Sequence, residues 1–208
     1  LLGVNGAGKS TTLNLLTGNL IPHSGHVNIC GVDLLRDGVG AKKHLGYLPE
    51  VAPLYPDMTV DEYLRFAAQL HGVAKNNLAS ALDSAKNRCG LADKSTTQIG
   101  KLSKGYQQRV GIAQAIAHNP EVIILDEPGV GLDPAQSNQM RDLIRQLAQT
   151  SSVIFSSHIL SDIETTCSRV AILHQGKIIL DEKLAGFEAR HGTSLEKMFL
   201  RITQEQAV

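Results

Sequence analysis

The run Gly3-Val4-Asn5-Gly6-Ala7-Gly8-Lys9-Ser10 constrains the fold of this chain more than any other stretch of it. It satisfies the pattern G-x-x-x-x-G-K-[ST], in which glycines let backbone N–H groups curl around phosphate oxygens that side chains would keep away. Lys9 is placed to set its ammonium on the β- and γ-phosphates of a nucleotide, and the Ser10 hydroxyl to ligate Mg²⁺. Leu13, Leu15 and Leu16 follow Ser10-Thr11-Thr12 and stop at Gly18, which reads as a short helix whose N-terminus points at the anion. A plain glycine turn before a helix is the simpler alternative, and it does not call for a match at every motif position. Gly3, Asn5, Gly6, Ala7, Gly8, Lys9, Ser10 and Thr11 are therefore the candidate phosphate contacts.

Composition narrows the setting. With 208 residues the chain can bury one sizeable core, so one domain is expected. A hydrophobic content of 42% with 19% charged residues excludes intrinsic disorder. Lys+Arg and Asp+Glu number 20 each, so there is no global basic field, and no nucleic-acid partner is expected. No apolar run approaches the roughly 18 residues of a membrane span. Cys30, Cys89 and Cys167 lie far apart with no Cys-x-x-Cys pair, which points away from a disulfide framework or zinc knuckle and towards a reducing cytosol.

Along the chain, Val27 and Ile29 alternate with polar residues between turns at Pro22–Gly25 and Gly31, as in a half-buried strand. From Thr59 to about Leu91 the apolar residues fall near a helical repeat. Val122–Leu125, then a helix face of Met140, Leu143, Ile144 and Leu147, then Val153–Phe155 give strand-helix-strand order and hence an α/β parallel sheet. Val170–Leu173 and Ile178–Leu180 flank Gln175-Gly176 as a hairpin at the sheet's edge. The strand Val122–Leu125 ends in Asp126-Glu127: on an extended chain the two carboxylates point to opposite sides, so Asp126 can organise Mg²⁺ while Glu127 polarises an attacking water.

At this point the residues resemble a family. Leu102-Ser103-Lys104-Gly105-Tyr106-Gln107-Gln108-Arg109 is similar to the LSGGQ signature of ATP-binding-cassette (ABC) ATPases and lies just before the Asp-Glu strand. Gly131-Leu132-Asp133 resembles that family's D-loop, and Ser156-Ser157-His158 its switch histidine. Each has a plainer explanation alone: Ser103 as a helix N-cap, Asp133-Pro134 as an N-cap followed by proline, His158 as a surface histidine. Their order and spacing together favour the family.

The resemblance implies a P-loop NTPase (RecA-like) core with a parallel sheet over 1–56 and 119–208, a helical signature sub-domain over 57–118, and bound ATP and Mg²⁺. It also implies two copies packed head to tail, so that ATP held by Lys9 and Ser10 of one is covered by Ser103 and Gly105 of the other, with Asp133 of the D-loop a further nucleotide-site residue. Glu127 would then be the base and His158 the γ-phosphate contact. The partner would be a separate multi-span membrane permease, with this chain cytoplasmic and peripheral on the inner face of the cell membrane. Lys104, Tyr106, Gly129 and Glu50 depart from the commonest pattern, Glu50 standing where the Q-loop has Gln; it is expected to add an oxygen ligand on the metal side. The LSKGY and YLPE variants resemble exporter cassettes. A soluble relative acting on ribosomes or DNA is the alternative, and it usually carries fused cassettes or a basic linker. Only Leu1 and Leu2 precede the phosphate loop, where the family has about two strands and an adenine-stacking aromatic residue, so an N-terminal truncation is expected.

Overall fold

In the computed structural model, which describes residues 1–204, capping and turn chemistry set the element boundaries. Helix α1 (Lys9–Leu16) starts at Gly8, held at φ 103, and ends at Thr17 ahead of Gly18 at φ 70. Strands β1 (Asn28–Ile29) and β2 (Val32–Asp33) pair antiparallel across Cys30-Gly31, whose φ angles of 50 and 87 are those of a two-residue type I′ turn. Asp37 caps α2 (Gly38–Lys43) by accepting from the Gly40 N–H, and Lys42 and Lys43 suit its C-terminal end. Strand β3 (Leu45–Leu48) follows.

The helical middle predicted from the sequence is present. Thr59 and Glu62 form a reciprocal capping box at the start of α3 (Val60–Leu70), and left-handed Gly90 ends α4 (Leu78–Cys89). With α5 (Lys104–Ile116) they bury Tyr63, Leu64, Leu82, Ala85, Val110 and Ala113 in one cluster that continues into the sheet through Leu48, Ile123 and Leu125. Lys86 ties α4 to α3, its ammonium 2.6 Å from Asp61 and 3.2 Å from Asp83.

Strands β4 (Val122–Leu125) and β5 (Ser152–Phe155) run parallel to β3, in register Leu45↔Val122 and Val122↔Ser152, with α6 (Pro134–Leu147) crossing between them. Burial on both faces of β4 explains its unbroken apolar run, since Ile123, Ile124 and Leu125 are all buried. After α7 (Leu160–Thr166), the antiparallel hairpin β6 (Arg169–His174) and β7 (Lys177–Lys183) turns at Gln175-Gly176 as expected. Helices α8 (Phe187–His191) and α9 (Leu195–Gln204) close the described chain.

Leu1 and Leu2 join the two sheets. The Leu1 amine donates to Phe155 O at 2.7 Å and the Ser157 N–H donates to Leu1 O at 3.0 Å. On the other side the Leu2 N–H donates to Ala171 O and the Leu173 N–H to Leu2 O, both at 2.8 Å. The segment ahead of the phosphate loop is thus an interior member, between β5 and β6, and Leu2 is fully buried.

Close packing of α5 on β3 fixes Gly46, where an added Cβ would lie 2.1 Å from Ala115 O. Gly46→Ala should cost about 1–3 kcal/mol or more by overpacking, read as a lower urea midpoint. Gly38→Ala, where a Cβ meets nothing within 4 Å, should leave the midpoint unchanged or raise it.

Candidate functional site

The C-terminal ends of the parallel strands converge, as α/β sheets place their ligand crevices. Glu50 follows β3, Asp126-Glu127 follows β4, Ser156–His158 follows β5, and the phosphate loop follows Leu2. Asn5, Gly6, Gly8, Lys9, Ser10, Thr11, Glu50, Glu127, Val130 and His158 line one open cleft of about 440 Å³. No side chain caps α1, and the N–H groups of Lys9, Ser10 and Thr11 have no acceptor among the described residues. Three free donors and the helix dipole face the cleft, a cradle suited to a polyphosphate.

Lys9 is buried at 6% exposure. Its ammonium donates to Gly3 O at 2.9 Å and lies 3.2 Å from Glu127 Oε1. The other Glu127 oxygen lies 3.0 Å from His158 Nδ1. One carboxylate therefore bridges the phosphate-loop lysine and the histidine after β5. Gly3 and Ala7 do not line this cleft and support the loop from beneath. A Cβ on Gly3 would lie 2.7 Å from Leu173 O, and Ala7 is spent on backbone bonds to Val4 and Gly176.

The two carboxylates after β4 are separated, though not by extended alternation. Glu127 sits in the left-handed region at φ 47, a costly conformation for a side chain of its size. Ser156 holds it there: its Oγ accepts the Glu127 N–H at 2.8 Å and donates to Asp126 Oδ1 at 2.5 Å. Asp126 is 2% exposed and does not line the cleft. Burial, then the Asp126 charge, hold the nearby Tyr47 hydroxyl above the usual phenol range. Sequence reading treated Ser156 only as part of the histidine motif. The sequence signal is a hydroxyl two residues ahead of His158; that it stands level with Asp126 follows only from the β4–β5 register.

Ser103 and Gly105 do not reach this cleft. With Tyr106, Arg109, Leu132, Gln136, Gln139 and Met140 they line a second one, also about 440 Å³. Ser103 occupies the N-cap position of α5, yet its hydroxyl makes no capping bond. Asp133 lines neither cleft and accepts from the Gln136 N–H at 2.8 Å, capping α6 with Pro134 at its first position. The plainer explanation of Asp133 is realised here, and that of Ser103 only in its backbone.

Sheet, crevice and glycine cradle define a phosphate-loop nucleotide-binding protein of the α/β class. The family described as ABC transporter matches residues 1–130, and the chain belongs to it. It is 38% identical over 197 residues to the bacitracin transport ATP-binding protein BcrA of Bacillus licheniformis, covering 94% of this chain and 63% of that one. It is 37% identical over 185 residues to the linearmycin resistance ATP-binding protein LnrL of Bacillus subtilis (strain 168), covering 86% and 58%. The chain thus spans only about three fifths of the length of these relatives. A solved ATP binding subunit of an ABC transporter superposes with a TM-score of 0.84 at 30% identity, over 98% of this chain and 86% of that one. Among the described residues no helix is long and apolar enough to cross a membrane.

Ser156 is fully buried. Ser156→Ala should leave the Glu127 N–H without its acceptor and destabilise the chain by about 1–3 kcal/mol. An unchanged denaturation midpoint would show that the hydroxyl does not hold the turn.

Proposed function

We propose that this chain binds and hydrolyses ATP with Mg²⁺ as a single ABC ATPase domain, its helical sub-domain spanning 57–118, and that the energy drives export through a separate multi-span permease. The observation that carries this reading is the convergence of Lys9, three unpartnered helix N–H groups and the Glu127 carboxylate in one cleft. The triphosphate would rest on the N–H groups of α1 and take the Lys9 ammonium, freeing Glu127 to orient and deprotonate water. Ser10 and Asp126 would hold Mg²⁺ through oxygen donors, and the ion would supply counter-charge to the phosphates.

Separation of the Ser103–Gly105 cleft from the phosphate cleft supports head-to-tail pairing with a second copy, each chain completing the other's site. Asp133 would act there by fixing the start of α6, whose Gln136 packs within 2.8 Å of where a Gly105 Cβ would lie. His158, already on Glu127, would sense the γ-phosphate. Permease docking is supported by exposed Val51 and Tyr55 just after Glu50, with Tyr55 edge to face at 5.8 Å on the exposed Phe66 of α3. The resistance role in LnrL's name, with the LSKGY and YLPE variants, supports outward transport and a cytoplasmic position on the inner face of the membrane.

Glu127→Gln should still bind ATP yet turn over at least about a hundredfold more slowly, because a base acts in the transition state. Lys9→Ala should fail at binding. Equilibrium ATP binding beside steady-state phosphate release separates the two, and near-normal turnover in Glu127→Gln removes it from the role.

Glu50 is exposed, on the rim of the phosphate cleft. If it serves as a metal-side oxygen, Glu50→Gln should raise the free Mg²⁺ needed for half-maximal ATPase rate, with or without permease. A change seen only with the permease present would move Glu50 to coupling.

A further inference from the structure

At the opposite end of the parallel sheet from the phosphate cleft, three side chains from separate parts of the chain converge. His44 precedes β3 and Glu121 precedes β4, so the parallel register sets them side by side, and the Val122 N–H donates to His44 O at 3.0 Å. His44 Nδ1 lies 3.1 Å from Glu121 Oε2. The tip of the β1–β2 hairpin brings Cys30 onto the same spot with an exposed free thiol. One ligand atom from each residue lies within 4.8 Å of the other two.

We propose that Cys30, His44 and Glu121 form a binding site for a borderline divalent cation of the Zn²⁺ class. A thiolate, an imidazole and a carboxylate are the donor types such an ion takes, whereas Mg²⁺ and Ca²⁺ prefer all-oxygen sets. Zn–N and Zn–O bonds near 2.0–2.1 Å in a tetrahedron place neighbouring ligand atoms about 3.3 Å apart. The His44–Glu121 separation already meets that edge, and the Cys30 thiol, within 4.8 Å of both ligand atoms on an exposed turn, would close by up to about 1 Å to take the third corner. Three protein ligands leave the fourth position to water. A bound ion would pin the β1–β2 hairpin to the leading ends of β3 and β4. The ligands come from positions 30, 44 and 121, so no short Cys/His spacing betrays the site in the sequence.

The test uses the full chain, reduced, with Co²⁺ as a spectroscopic probe and Zn²⁺ for affinity. One Co²⁺ per chain should give a thiolate charge-transfer band with intense tetrahedral d–d bands, retained in Cys167→Ser and lost in Cys30→Ser. Cys30→Ser and His44→Ala should each weaken Zn²⁺ binding at least about tenfold, and Zn²⁺ should raise the melting temperature of the unsubstituted chain but not of Cys30→Ser. Absence of the band, its persistence in Cys30→Ser, or one ion shared by two chains would overturn the proposal.

Discussion

The two-sided backbone pairing of Leu1 and Leu2 is the constraint on which the rest depends. Four hydrogen bonds fix this dipeptide between β5 and β6, and the phosphate loop leaves directly from its end. Because Ser156 and His158 follow directly from β5, and β6 places Leu173 beneath Gly3, the same pairing sets the height of the loop against the groups at the end of β5. A slip of one residue would turn Leu2 out of the core and lift Lys9 away from Glu127. Among the described residues the backbone of the hairpin β6–β7, predicted as a sheet edge, is linked to the parallel strands through Leu1 and Leu2, while Val170 and Ile172 pack into the same core as β4 and β5.

Lys9 and Glu127 are both buried and 3.2 Å apart, so each offsets part of the other's lost hydration, Lys9 with Gly3 O and Glu127 with His158 as further partners. Removing one partner of such a pair leaves an uncompensated charge, which costs more than the pair contributes. That balance gives the cleft a preference: a polyphosphate offers Lys9 several charged oxygens in place of one carboxylate, and the released Glu127 keeps His158 as its neighbour. Ser156 matters because it holds the Glu127 backbone in its left-handed turn whichever partner the carboxylate has.

Features governed by local chemistry were legible in the sequence. The Gly3–Ser10 loop, the helical stretch from Thr59, the buried strand at Val122 and the Gln175-Gly176 turn each follow from residues close together in the chain. What could not be read depended on strand register. Local sequence suggests extended geometry through Glu127, yet the hydroxyl that holds the bend there belongs to Ser156, just past the end of β5 and 29 residues on. Likewise only the parallel pairing of β3 with β4 shows that His44 and Glu121 are neighbours. Gly3 and Ala7 match the motif but face Leu173 and Gly176, because a turn this tight has an inner side as well as an outer one.

Two N-cap residues show how context, rather than residue type, decides whether a hydroxyl is free. Thr59 and Ser103 have nearly the same backbone, at φ −72, ψ 161 and φ −61, ψ 159. Thr59 accepts from the Glu62 N–H while the Glu62 carboxylate reaches back to it, closing the box. Three residues after Ser103 stands Tyr106, which has no carboxylate to return the bond, and the Ser103 hydroxyl stays uncommitted. A cap of this kind contributes about 1 kcal/mol to a helix. Helix α5 forgoes it and is held instead by the burial of Val110, Ile112 and Ala113. Its first turn is left with an uncommitted N-cap hydroxyl beside a cleft, whereas α1 starts at Gly8 with no N-cap side chain at all. Helices α4, α7 and α8 also start without a side-chain cap, so the missing cap does not by itself mark a site; what singles out α1 and α5 is that their first turns line the two clefts of about 440 Å³.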